Sequence, residues 1–298
     1  MNSIPNVIIG TWPLSGDFGN IDEINIERII NYSISKNFLE YDTAPNYGQG
    51  RMVRILSSVI KDYSLDFKIN TKCGNNEDGI KSFELNDLEI SIENSIKKFG
   101  KINTLFLHNP RGEIKNWEPI INMFNDYKNQ NVISFTGISL AKNFPIHNEI
   151  LEEFDYIQEE INLLSLDSYK RLINVKSKVV ARSPLASGVL SGKLFEGSRF
   201  SDQDHRSSWL KKDRLDNILQ QLKNISVLTK GSINEFARDF ILSLPSIDSI
   251  IFGIKSQSHI DDLIKMSDLV TKLDSDVIES IFELSKNNYN LDNQKIGY

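Results

Sequence analysis

Residues 67–110 read FKINTKCGNNEDGIKSFELNDLEISIENSIKKFGKINTLFLHNP. Two short runs of β-branched and aromatic residues, Phe67–Lys72 and Thr104–His108, bracket a stretch, Leu88–Phe99, whose Ile90, Ile92 and Ile96 recur at helical spacing. Strand, helix and strand in this order form a βαβ unit, because parallel strands need a long crossover and a helix is the usual one. Working outward, the same alternation continues in both directions. Further strands are expected near Val7–Gly10, Phe38–Asp42, Ser134–Ser139, Tyr156–Gln158, Val179–Arg182 and Ser249–Phe252. A helix is expected over Ile24–Lys36, with Ile26, Ile29, Ile30 and Ile34 on one stripe. Eight strands alternating with helices predict an α/β fold, a (β/α)8 barrel, with 1–298 as one domain. Residues between Gly188 and about Leu215 lack periodicity and predict a long loop after strand seven. Beyond Met266 the tail has helical character to about Asn287, and the residues after it read as an irregular end.

Composition narrows the function classes. The chain carries 34 Lys and Arg against 40 Asp and Glu, a formal charge of −6, which gives no global attraction to nucleic acid or to an anionic membrane. With 40% hydrophobic and 25% charged residues it has the makings of a folded, soluble chain. No apolar run approaches the roughly 20 residues of a membrane span, and the start MNSIPNVIIGTWPL lacks the features of a signal peptide, so a cytoplasmic address is expected. Cys73 is the sole cysteine, too little for an internal disulfide or a thiolate metal site, and no metal is expected. The sequence leaves oligomeric state open.

In a parallel barrel, chemistry collects where the C-terminal ends of the strands meet. Those ends offer Asp42, Tyr47 in the loop just beyond it, Lys72 and His108. Singly, each has a plain structural explanation: a turn cap, a loop aromatic, a solvated cation, a hydrogen-bonding imidazole. Together they suit hydride transfer to a carbonyl, where the oxygen needs a proton in the same transition state. Tyrosine can supply it if a neighbouring ammonium lowers its ordinary pKa of about 10. Lys72 is the expected ammonium, Asp42 the carboxylate that keeps it charged, and His108 the donor that orients the substrate oxygen.

At these residues the sequence resembles the aldo-keto reductases, through EYDTAPNYGQG (40–50), FKINTKCG (67–74) and TLFLHNP (104–110) in order. The resemblance continues in TGIS (136–139), IQEEINLL (157–164), ARSPLASGVLSGK (181–193) and FARDFILSLPSIDSIIFGIKS (236–256), so it spans nearly the whole barrel. It implies catalysis by Asp42, Tyr47, Lys72 and His108, and a nicotinamide cofactor, NADPH with NADH as the other option, held without a G-x-G-x-x-G fingerprint. By the resemblance, Gly10, Thr11 and Trp12 lie beside the nicotinamide ribose, and Ser139 and Gln158 hold its carboxamide. Arg182 stands where relatives stack an aromatic ring on the nicotinamide. Ser183, Pro184, Leu185, Ser187 and Gly188 follow the pyrophosphate, Lys255, Ser256 and His259 face the adenosine phosphate, and Gly253 is a further cofactor-binding position.

Some positions depart from the family pattern. Leu140 replaces an asparagine that relatives place against the carboxamide, His259 stands for an arginine and Leu263 for an asparagine, and GQGRMVRIL lacks the usual Ser-Glu. Trp12, Phe18 and Trp209 are expected as an aromatic wall, and Arg206 and Lys211 as possible anion contacts. The implied activity is oxidoreduction of a small aldehyde, ketone or sugar. Two further readings are a nicotinamide-binding regulatory or sensor subunit with little turnover, and a lyase or isomerase using Lys72 as a Schiff base. The second needs a neutral lysine, which Asp42 disfavours.

Overall fold

The computed structural model describes residues 7–110, 114–142, 144–267 and 270–291. Eight strands, β1 Val7–Gly10, β2 Glu40–Asp42, β3 Lys68–Cys73, β4 Ile102–His108, β5 Ile133–Ser139, β6 Tyr156–Glu160, β7 Lys178–Arg182 and β8 Ile247–Gly253, pair in parallel in sequence order and close on themselves. The ring is sealed by β1 against β8, with Val7 opposite Ile250 and Gly10 opposite Gly253. The predicted (β/α)8 barrel is the observed fold. The expected strands fall in place with small shifts at their ends. Phe38 drops out of β2 because its amide still caps the preceding helix on the Ser33 carbonyl at 3.0 Å.

Helices α1 Glu23–Ser35, α2 Arg51–Lys61, α3 Leu85–Phe99, α4 Glu118–Asn129, α5 Asn148–Leu151 and α6 Asp167–Leu172 join successive strands up to β7. Between β7 and β8 lie α7 Arg206–Trp209, α8 Lys212–Ser226 and α9 Ile233–Ser243; α10 Gln257–Ser267 and α11 Ser275–Lys286 follow β8. Helix α1 starts where Asp22 accepts the Asn25 amide at 2.8 Å, and its expected stripe of Ile26, Ile29, Ile30 and Ile34 is buried. Helix α3 corrects its expected face. Ile90 is 50% exposed, while Leu88, Ile92 and Ser95 face inward, because the helix begins at Leu85 and its inner face is centred on Leu88 and Ile92.

The excursion after β7 is real but not structureless. It opens with a kinked turn, Ala186–Ser191, carries α7, and ends as α8 begins at Lys212. Single turns this short have too few apolar repeats to show in a periodicity count. The predicted helical tail is α11; the irregular end from residue 292 lies outside the described residues. Among the described residues no helix is long and apolar enough to cross a membrane.

Inside the ring, Ile8, Phe106, Val180 and Ile251 form a small core distinct from the larger one between strands and helices. Above it, at the C-terminal ends of the strands, opens a cleft of about 690 Å³; below it lies a cavity of about 420 Å³. Asp42 and Gln158 border both. In barrels of this kind, chemistry belongs to the C-terminal side.

Candidate active site

Three neighbouring strands and one loop bring the candidate acid–base residues together. Asp42 ends β2, Lys72 sits one residue before the end of β3, and His108 ends β4. Tyr47 returns from the β2 loop, held by the Tyr47 amide on the Ala44 carbonyl at 3.1 Å. The Lys72 ammonium donates to Asp42 Oδ1 at 2.6 Å, to the Thr43 carbonyl at 2.9 Å and to Tyr47 Oη at 3.3 Å. It also lies 5.1 Å from the centre of the Tyr47 ring. Lys72 is 1% exposed, so it is no solvated strand end. A buried ammonium is tolerable only because all three of its protons find oxygen.

The second oxygen of Asp42 accepts from Gln158 Nε2 at 2.9 Å, and Gln158 Oε1 accepts from Ser139 Oγ at 2.9 Å. A single chain of hydrogen bonds therefore runs from β5 through β6, β2 and β3 to the phenol. Ser139 and Gln158 both border the cleft, but their polar atoms answer first to each other and to Asp42. No sequence signal announces the Gln158–Asp42 link, since the two are separated by 116 residues.

The electrostatics correct one expectation. Burial pushes the Tyr47 phenol above its ordinary pKa of 10.0, and the Lys72 ammonium offsets that only in part. In a dry pocket the cost of creating phenolate exceeds the pull of a cation already shared with Asp42. Burial also opposes the charge on Lys72, but Asp42 and then Tyr47 outweigh it and hold the lysine above its ordinary value. His108 goes the other way: burial first, then Lys72, Lys81 and Arg182, drive it well below 6.5. The site thus holds a protonated phenol, a charged lysine and a neutral imidazole. His108 Nδ1 is buried with no hydrogen-bond partner, and its ring meets Tyr47 edge-on at 6.4 Å.

Most of the other expected positions also border the cleft: Gly10, Trp12, Arg182, Ser183, Pro184, Leu185, Ser187, Gly188, Gly253, Lys255 and His259. Thr11 does not. It is fully buried, with its hydroxyl on the Asp42 carbonyl at 3.0 Å, and so it steadies β2 from behind. Ser256 accepts the His259 amide at 3.3 Å at the start of α10 rather than bordering the cleft. Arg182 is fixed by Glu160 Oε2 and the Leu140 carbonyl, each at 3.2 Å, which sets its guanidinium across the ends of β5 and β6. Of the aromatic wall, Trp12 and Phe18 line the cleft, meeting edge-on at 5.1 Å, whereas Trp209 packs away from it against His205 and Arg214. Arg206 lines it and Lys211 does not.

One wall of the cleft is built from strained backbone. Ser183, Ala186, Ser187 and Gly188 all have left-handed backbone, with φ of 54°, 48°, 54° and 91°. Strain of this kind in three non-glycine residues persists only where the surroundings impose it, and it concentrates at ligand clamps. Gly188 suits its place through its φ of 91°, which side-chain-bearing residues rarely adopt. Lys193, Asn234 and Asp262, which the sequence reading passed over, line the same cleft. Lys193 pairs with Asp262 at 3.1 Å, and Lys255 donates to the Phe18 carbonyl. His259 is neutral, because burial and then Lys193 lower its pKa. The excursion also meets the β1 loop, where Phe18 bridges Asp204 and the His205 amide donates to the Asp17 carbonyl at 2.7 Å.

A closed parallel barrel thus carries a buried lysine–aspartate pair against a tyrosine, beside a long cleft at the C-terminal ends of its strands. The Aldo/keto reductase family model matches residues 6–286, and the chain belongs to that family. It is an enzyme, an oxidoreductase of a family that works with NAD(P)H and small-molecule carbonyls. Over 245 residues it is 24% identical to an uncharacterized oxidoreductase, YqkF, of Bacillus subtilis (strain 168), covering 76% of each chain. Its fold is similar to glycerol dehydrogenase AKR11B4 of Gluconobacter oxydans, with a TM-score of 0.78, 19% identity, and coverage of 98% of this chain and 95% of that one. It is also similar to the holo form of aldo-keto reductase AKR11C1 of Bacillus halodurans, with a TM-score of 0.75, 19% identity, and coverage of 98% and 93%.

Proposed function

We propose that the protein, as one catalytic domain over 1–298, reduces an aldehyde, ketone or sugar carbonyl with NADPH, using Tyr47 as the proton donor. The observation that carries this reading is the three-way contact of the buried Lys72 ammonium with Asp42, Thr43 and Tyr47. When bound, the nicotinamide would supply the hydride. Ser183 to Gly188 would run along its pyrophosphate, and Lys193 and Lys255 would face its adenosine phosphate, the cations on which the NADPH preference rests. Gly10, Trp12 and Arg182 would border its nicotinamide half.

The remaining work falls to the chain's own side chains. Tyr47 keeps its proton at neutral pH, because burial raises its pKa, and so has it ready to give to the carbonyl oxygen. Lys72, fixed by Asp42, stabilises the negative charge left on Tyr47 Oη after that transfer. His108, neutral, offers an N–H to the same carbonyl oxygen and sets the direction from which Tyr47 approaches it. Trp12 and Phe18 exclude water from one side. In the reverse direction Tyr47 Oη takes the proton from an alcohol.

Tyr47→Phe tests this directly. It is expected to keep nicotinamide binding, read by fluorescence titration, and to lose 10²–10⁴-fold in kcat, the usual worth of a placed acid. Full turnover in that variant would remove Tyr47 from the role. Tight nicotinamide binding in the wild type with no turnover over a broad carbonyl panel would instead favour a sensor subunit.

A further inference from the structure

Beneath the acid–base group the barrel is packed unevenly. A barrel interior is ordinarily filled by layers of branched apolar side chains drawn from all of its strands. Here the apolar layer is Ile8, Phe106, Val180 and Ile251, from β1, β4, β7 and β8. On β2 and β3 the cavity of about 420 Å³ is lined instead by Glu40, Asp42 and Asn70. Its walls also carry Asn103, Thr104 and Ser249, so it is polar enough to hold water. Asp66, Lys68 and Phe135, which line it near the N-terminal ends of the strands, are exposed, so it meets solvent on the face opposite the cleft.

This cavity reaches the back of the site. Asp42 and Gln158 border it on one side and the cleft on the other, and Asp42 holds Lys72, which touches the phenol. Glu40 lies two residues before Asp42 on the same face of β2, since alternate residues of a strand share a face. Asn70 stands opposite Asp42 in the β2–β3 register, and its amide donates to Glu40 Oε1 at 2.9 Å. Asn103 Nδ2 in turn donates to Asn70 Oδ1 at 2.8 Å, so the carboxyl is held in the cavity wall by two linked amides. Burial raises the Glu40 pKa above its ordinary 4.5; the Asn70 bond and Lys68 offset part of that, while Asp248 and Asp42 add to it. A carboxyl shifted toward neutral pH takes up and gives back protons more readily there than an ordinary one.

Each carbonyl reduced consumes one proton. Tyr47 Oη gives its proton to the carbonyl oxygen as hydride reaches the carbon, and the phenolate regains one from the Lys72 ammonium. Neutral Lys72 must then be recharged. It is 1% exposed, and the cleft above it is where cofactor and substrate are proposed to lie. We propose that the lower cavity is a proton inlet, in which Glu40 passes protons from solvent at the N-terminal mouth, through cavity water, to Asp42 and so to Lys72. Glu40 then regains its own proton from solvent, and in the alcohol-oxidising direction the same chain runs outward. Glu40 touches neither substrate nor cofactor and acts through Asp42. The inlet rests on the reductase reading only for what consumes the proton; exchange of the Lys72 ammonium with solvent does not depend on it.

Glu40→Gln removes the exchanging group and keeps an acceptor for Asn70, whereas Glu40→Asp keeps a carboxyl. In Glu40→Gln, kcat with NADPH is expected to fall about tenfold at unchanged KM, far less than is lost with an acid placed on the substrate, and the solvent deuterium isotope effect to rise. Added formate, small enough to enter the cavity, is expected to restore kcat, and Glu40→Asp to keep most of it. NMR of protein labelled with ¹⁵N-lysine reads exchange of the Lys72 ammonium protons without turnover, with and without NADP+ in the cleft, the signal being assigned by its loss in Lys72→Arg. That exchange is expected to slow in Glu40→Gln and to recover with formate. A kcat loss that Glu40→Asp shares and formate leaves untouched marks a packing role and overturns the inlet. Wild-type kcat and exchange in Glu40→Gln overturn the inlet and leave the reductase reading standing. No turnover of any carbonyl, together with Lys72 exchange that slows in Glu40→Gln and recovers with formate, overturns the reductase reading and keeps the inlet. No turnover and exchange indifferent to Glu40 overturns both.

Discussion

At the scale of single residues, the site is a balance of protonation states set by burial. Asp42 makes it possible to keep Lys72 charged inside the barrel, and the charged lysine in turn helps to keep His108 neutral. That neutrality has a measurable consequence. In the native state His108 titrates well below 6.5, whereas in the unfolded chain it titrates near that value, so the unfolded state takes up the proton first as pH falls. The stability owed to this histidine is complete above about pH 6.5 and drains away below it, by at most about 1.4 kcal/mol per pH unit. Thermal melts from pH 8 to pH 5 are expected to show a steeper fall for the wild type than for His108→Gln. Parallel curves would mean that His108 titrates as an ordinary exposed imidazole.

At the scale of elements, the barrel interior is packed so closely that one strand position has no room for a methyl group. A Cβ on Gly137 of β5 would stand 2.4 Å from the ring of Phe106 on the adjacent β4. Gly137→Ala is expected to cost about 1–3 kcal/mol by chemical denaturation, and a second change, Phe106→Leu, to recover part of it. An unchanged midpoint in the single variant would show that β4 and β5 can part at no cost. The elements also show where pattern reading succeeds. The α1 stripe was legible because four isoleucines at helical spacing leave one choice of inner face. In α3 the isoleucines are more widely scattered, and Ile90 lies at the surface because packing against the strands chose the face centred on Leu88 and Ile92. The short helix α7 and the kinked turn after β7 escaped notice because neither is long enough to show a periodic pattern.

At the scale of the whole molecule, the cleft couples cofactor binding to stability. A ligand that binds only the folded barrel, present at about a hundred times its Kd, adds roughly 2.7 kcal/mol. For a chain of this size that raises Tm by about 5 °C. NADPH is expected to give that shift and NADH a smaller one at equal concentration. Lys193→Ala is expected to shrink the difference, since Lys193 lines the cleft beside Asp262, with which it pairs at 3.1 Å, and its loss leaves Lys255 as the remaining cation. Equal shifts for the two nucleotides in the wild type would assign the protein no preference for the extra phosphate.

The sequence by itself determined the barrel, because strand and helix periods alternate eight times and no other arrangement of parallel strands accommodates that count so directly. It also singled out four side chains, Asp42, Tyr47, Lys72 and His108, that the barrel brings together, since strand ends in such a barrel converge by geometry. What only the tertiary structure decided were the relations among residues far apart in the chain: the bond from Gln158 to Asp42, and the three-way contact of Lys72 with Asp42, Thr43 and Tyr47. It also decided the direction of the Tyr47 shift. Desolvation depends on how completely the surrounding loops cover a group, and that coverage comes from the packing of many segments at once, so no single stretch of sequence records it.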